Sequence, residues 1–114
     1  MLTDDQIRLR HMLDAARKAL SFVQDRSREN LESNEMLALA VIRLLEVMGE
    51  AARGLSQDIR DMNPQIPWKQ ITGTRDRLIH GYFDVDLSII WSIITRDLPP
   101  LVSALEELLS VKED

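Results

Sequence analysis

The chain has 114 residues, a formal net charge of −5, 45% hydrophobic and 29% charged residues, four Gly, four Pro and no Cys. That length suits one domain around one core, residues 1–114, and the apolar and charged fractions exclude a disordered or collagen-like chain. The lack of cysteine excludes a disulfide framework, a thiolate zinc site and a cysteine nucleophile.

The first residues, Met1-Leu2-Thr3-Asp4-Asp5, are acidic and lack the basic start of a signal peptide. No apolar run approaches the roughly 20 residues needed to cross a bilayer. The expected location is the cytoplasm, away from membranes. Thr3 and Gln6 have the spacing of a capping box. Ile7, Leu13, Ala16, Leu20 and Val23 then place one apolar stripe on a helix over about residues 4 to 25. Asp25 to Asn30 is polar and reads as a connection. Ser33 is the expected N-cap of a second helix, whose apolar face is Leu37, Ala40, Leu44, Val47, Met48, Ala51 and Leu55. Gly54 and Ser56 end it and open a short turn or helix over 57 to 62. Asn63-Pro64-Gln65-Ile66-Pro67 breaks regular structure, because each proline disfavours helix at the residue before it.

Pro67 suits the first position of a new helical segment with Trp68, Ile71, Leu78 and Ile79 on its buried face. Gly73 kinks or divides it, and Gly81 is the expected stop. Asp86 caps a further helix carrying Leu87, Ile90, Trp91 and Ile94; Asp97-Leu98-Pro99-Pro100 restarts or kinks it, and Leu101, Leu105 and Leu108 continue to the end. No stretch alternates with the period of a strand. The expected fold is all-α, an antiparallel bundle of four to five helices with short additions.

A bundle does not define a function. Charge is unevenly distributed, however. Residues 53–80 hold Arg53, Arg60, Lys69, Arg75 and Arg77 against Asp58, Asp61 and Asp76, a net +2 on a chain that is otherwise −7. Within that stretch, Thr74-Arg75-Asp76-Arg77-Leu78-Ile79-His80-Gly81-Tyr82 crowds two arginines, an acid, a histidine and a tyrosine beside turn residues. Asp76 and His80 are four apart and share a helix face, so the carboxylate can orient the imidazole and favour its protonated form. Arg75 and His80 are poor direct partners but can converge on one bound group. His exchanges protons near neutral pH, and Arg stays charged and fits phosphate oxygens bidentately. The pair suits phosphodiester cleavage.

The same residues also admit a structural reading. Arg75 and Arg77 then solvate a helix face, Asp76 and His80 form an ordinary surface pair, and Tyr82 and Phe83 close the core. His11 belongs to the surface or core edge, and Trp68 and Trp91 are core anchors rather than base-stacking platforms. Two histidines without HxxxH or HExxH spacing make no metal site, and no cofactor motif is present.

Arg75-Asp76-Arg77-Leu78-Ile79-His80-Gly81-Tyr82 resembles the R-x4-H-x-Y signature of HepT-like toxins, of the HEPN superfamily. Gly49-Glu50-Ala51-Ala52 is similar to that family's GEAA stretch. Ile66-Pro67-Trp68, Ile71 and Gly73 resemble its lead-in to the signature, and Phe83-Asp84-Val85-Asp86, Trp91 and Asp97-Leu98-Pro99 the segment after it. The similarity runs from about residue 36 to 110. It implies a HEPN-fold homodimer with the two signatures facing each other, acting as a metal-independent ribonuclease toxin. It implies an antitoxin partner, a minimal nucleotidyltransferase of the MntA type, that transfers AMP from ATP to the signature tyrosine, here Tyr82.

The resemblance assigns Arg75 to the scissile phosphate and His80 to acid–base chemistry, leaving a 2′,3′-cyclic phosphate. Lys69 and Arg77 become candidate RNA-backbone contacts. Asp76 departs from the family's usual Asn; its charge raises the His80 pKa or weakens RNA binding. Two other functions fit the residues: a non-catalytic helical module that binds nucleotide or nucleic acid beside a nucleotidyltransferase, and a structural dimerisation domain.

Overall fold

The computed structural model describes residues 3–78 and 85–113; the side chains of residues 3, 75 and 111–113 lie outside the description. The described residues form helices and connecting turns around one hydrophobic core, an all-α fold as expected.

Helix α1, Thr3–Phe22, buries Leu9, Met12, Leu13, Ala15, Ala16 and Ala19. The expected stripe needs one correction: Ile7 is 49% exposed. At 3.6 residues per turn Ile7 points nearly opposite to Leu9, Met12 and Ala16, so the apolar face is assembled from Leu9 and Met12 instead. The Thr3 cap lies outside the described side chains. The helix ends before Asp25, which takes a positive φ of 62° while the Arg26 N–H bonds back to the Val23 carbonyl at 3.0 Å. Aspartate is among the few non-glycine residues that tolerate this left-handed turn.

Helix α2, Arg28–Ser33, occupies part of the expected connection. Asn30 Oδ1 accepts the Ser27 N–H at 2.7 Å and fixes its start. Helix α3, Glu35–Arg53, is capped by Asn34, not by Ser33: the Asn34 side chain accepts the Leu37 N–H at 3.1 Å. Ser33 is the last residue of α2. The buried line of α3 is Leu37, Ala38, Val41, Leu45, Met48 and Ala52, with Ala40, Leu44 and Val47 half-buried along its flank.

Helix α4, Gln57–Met62, starts at Ser56, whose hydroxyl oxygen accepts the Ile59 N–H at 3.3 Å. Asp5, only 3% exposed, accepts from the Ser56 N–H at 2.9 Å and the Ser56 hydroxyl at 2.7 Å. The first turn of α1 thus meets the end of α3, so the two helices run antiparallel.

The expected third long helix is two short ones: α5, Trp68–Thr72, and α6, Thr74–Leu78, divided at Gly73. Helix α7, Leu87–Ser92, begins at Asp86, whose carboxylate accepts the Ser88 and Ile89 N–H groups, as its sequence position predicts. A π-helical turn, Ile93–Asp97, joins it without interruption to α8, Leu98–Glu113. The widened turn, with the Leu98 N–H on the Ile93 carbonyl, accommodates Pro99 and Pro100 just inside α8. Helix α1 packs chiefly on α3 and also on α8, while α5 and α6 lie against α3. No described helix is long and apolar enough to cross a membrane.

Candidate functional site

Of the residues singled out in the sequence, Lys69, Asp76, Arg77 and the backbone of Arg75 belong to α5 and α6 and the corner between them. Trp68 opens α5 with its ring buried and its indole N–H donated to the Asn63 carbonyl at 2.9 Å. Pro67 sits just before the helix and accepts the Ile71 N–H at 3.1 Å. Ile71, Thr74 and Leu78 are buried, so the inner face of the corner is fixed by packing. Thr74 is 2% exposed; its hydroxyl donates to the Ile71 carbonyl at 2.6 Å, with the Gln70 carbonyl at 3.2 Å. Gly73 suits a close approach rather than an unusual φ, because a Cβ there would lie 3.1 Å from the Lys69 carbonyl oxygen, tighter than an ordinary contact.

Arg75 is the residue after Thr74 and its backbone belongs to α6. Asp76 is exposed in the first turn of the same helix. Arg77 is half-buried, and its Nη2 faces Asp97 Oδ2 of the π turn at 3.8 Å, so it is held partly by an ion pair. Lys69 is exposed on α5. His80, Gly81 and Tyr82 lie outside the described residues, and with them the Asp76–His80 pair and the expected stop at Gly81. Flanking those residues, the Leu78 carbonyl accepts the Asp86 N–H at 3.0 Å.

Two of the five basic residues counted in this region are committed elsewhere. Arg53 donates from Nε and Nη2 to the Thr72 carbonyl, at 3.2 and 3.0 Å. Arg60 donates from Nη2 to the carbonyls of Ala52 and Arg53, both at 2.9 Å, and so closes the end of α3. Counting charges could not distinguish these from Lys69 or Arg75. Only their position next to a helix end hints at a carbonyl partner. Trp91 is half-buried against the core and His11 is exposed, both in keeping with their structural reading. Among the described residues no group of three or more His, Asp or Glu side chains is gathered closely enough to hold a metal ion.

Lys69 on α5 and Asp76 on α6 are thus both exposed at this corner, and the Arg75 backbone lies next to Asp76 in the first turn of α6. Comparison with known proteins places the corner in context. The sequence model of the family described as "Ribonuclease HepT-like" matches residues 12–108. The chain is 37% identical over 95 residues to "Putative RNase MJ1380" of Methanocaldococcus jannaschii, covering 83% of this chain and 87% of that one. It is 37% identical over 101 residues to "Putative RNase TTE0752" of Caldanaerobacter subterraneus, covering 89% and 90%. It is 33% identical over 100 residues to "Probable ribonuclease HepT" of Thermococcus cleftensis, covering 84% and 91%. No solved structure matches it. With its helical fold and the ordered motifs around the α5–α6 corner, the chain belongs to the HepT-like ribonuclease family.

Proposed function

We propose that this chain is a metal-independent endoribonuclease, the toxin of a toxin–antitoxin pair, acting as a cytoplasmic homodimer. The observation that carries the reading is the family match over residues 12–108, which spans the whole segment from Arg75 to Tyr82 and joins this chain to relatives named as ribonucleases. The α6 helix, whose backbone includes Arg75, is seated on the core by Thr74 and Leu78, which supports a role for that residue.

In this reading His80 takes the proton of a ribose 2′-hydroxyl. The freed oxygen attacks the adjacent phosphorus, the bond to the 5′-oxygen breaks, and a second acid protonates the leaving oxygen. Two facing chains supply two His80 side chains, one for each proton transfer. Arg75 neutralises the charge developing on the phosphoryl oxygens. Asp76 lies one residue away and modulates the local charge, and Lys69 and Arg77 contact the RNA backbone. Tyr82 is the residue modified with AMP by a nucleotidyltransferase antitoxin; phosphate and bulk placed there repel and exclude RNA.

The test is RNA cleavage in EDTA by the unmodified dimer and by His80→Ala, after intact mass has shown that neither carries AMP. Cleavage by the wild type and a loss of at least about a hundredfold in the variant are expected. A verified unmodified dimer that cuts neither messenger nor transfer RNA would overturn the reading in favour of a binding module.

A further inference from the structure

We infer that Gly49 and Arg53, one turn apart on α3, are positioning residues for Arg75: together they set where the α5–α6 corner sits on the bundle. The inference rests on the ribonuclease reading above and extends it to two residues outside the R-x4-H-x-Y segment. Gly49 is buried, and a Cβ built there would lie 3.0 Å from the Ile71 carbonyl oxygen and 3.9 Å from Thr74 Cβ. The α5 backbone therefore rests directly on α3, at a distance that a methyl group would increase. Four residues on, the Arg53 guanidinium places two N–H groups on the next carbonyl, that of Thr72, at 3.2 and 3.0 Å.

Two consecutive carbonyls of α5 are thus fixed against α3, one by contact and one by a charged fork. The Ile71 carbonyl also takes the buried Thr74 hydroxyl at 2.6 Å, so the start of α6 is tied to the same point. Arg75 follows immediately. The cleft beside this contact, lined by Glu46, Glu50 and Thr72 among others, encloses about 30 Å³, room for a water but not for a ligand. It is a seat for the corner. A displacement of a few tenths of an ångström at Ile71–Thr72 passes along one turn of backbone to Arg75, and transition-state contacts are sensitive to errors on that scale.

Gly49→Ala tests the seat without changing charge or exposure, and Arg53→Ala and Arg53→Lys test the fork. The full chain, verified free of AMP, is assayed on an RNA oligonucleotide in EDTA for kcat and KM. Melting temperature and amide hydrogen exchange over residues 72–78 are measured alongside. Gly49→Ala is expected to lower kcat about tenfold or more with KM within about threefold and only a small change in melting temperature, the helix gain of alanine offsetting part of the cost of displacing α5. Arg53→Ala is expected to lower kcat similarly and to speed exchange over residues 72–78 alone. Arg53→Lys, which keeps one donor for the Thr72 carbonyl, is expected to recover part of the rate.

Wild-type kcat in Gly49→Ala would overturn the inference. So would an Arg53→Ala effect confined to KM and its salt dependence, which marks an RNA contact. Activity that falls only in step with global loss of exchange protection would reduce both residues to a structural role. A wild type that cuts no RNA would overturn the ribonuclease reading and the positioning role with it, whereas an active wild type with unaltered variants would remove the positioning role alone.

Discussion

Asp5 gives the sharpest test of how this fold is held together. Its carboxylate is 3% exposed and accepts two hydrogen bonds from Ser56, from the backbone N–H and from the hydroxyl. Ser56 in turn caps α4, so Asp5→Ala loosens α1, the end of α3 and α4 together. Hydrogen bonds to a charged group contribute about 1.5–3 kcal/mol each, and desolvation of the carboxylate offsets part of that. A net loss of about 2–3 kcal/mol is expected. At roughly 2.1 cal/mol/K per residue, 114 residues unfold with about 240 cal/mol/K, so the melting temperature falls by about 8–12 °C. Asp5→Asn keeps the volume and one acceptor and should lose roughly 4 °C. Calorimetry at matched protein concentration is the assay, since the midpoint of any protein that self-associates depends on concentration. An Asp5→Ala protein melting within about 2 °C of wild type would refute the reasoning, as would additive effects of Asp5→Ala and Ser56→Ala in a double-mutant cycle.

Three further outcomes are expected. Ile7→Gln should leave stability within about 0.5 kcal/mol, whereas Met12→Ala should cost about 2–5 kcal/mol in urea unfolding; equal costs would contradict the assigned face of α1. Asn34→Ala should cost about 1 kcal/mol by loss of the α3 cap and Ser33→Ala much less, and the reverse order in thermal melts would return the cap to Ser33. The Glu29 carboxyl is held below the ordinary glutamate range by its own backbone N–H and then by the Ser27 hydroxyl. Its small contribution is therefore present above the unfolded-state value and lost as pH falls through the folded one. An NMR titration midpoint at or above the ordinary glutamate value would contradict this.

The parts of the fold legible in the sequence were those governed by local chemistry. Asp86 and Ser56 cap the helices expected of them because a short acceptor side chain at a helix start has few other uses. Trp68 and Leu78 are buried as the helical period requires. Ser33 and Asn34 are both good caps, and adjacency alone could not choose between them. Asp5 reads in sequence as one more charge in an acidic first turn; its burial depends on Ser56, 51 residues away. The site divides in the same way. The signature residues stand out by type and spacing, but Arg53 differs from any surface arginine only through the Thr72 carbonyl, a partner fixed by tertiary packing. The π turn is likewise invisible to periodicity, since Asp97-Leu98-Pro99-Pro100 signals a break and the chain instead widens one turn.

The placement of α1 has a consequence for synthesis. One flank of α1 is covered by α3, but the other is covered by α8, with Arg17 bonded to Glu106 and Gln6, Ile7 and Arg10 beside Leu109. The α1–α3 hairpin can close within microseconds of emerging. At 5–20 residues per second, the roughly 45 residues between the end of α3 and the start of α8 take about 2–9 seconds to translate. For that interval the flank of α1 that α8 covers stays open. Apolar surface exposed in this way is what chaperones and proteases recognise, so packing of α8 closes the period in which the α1–α3 pair is vulnerable.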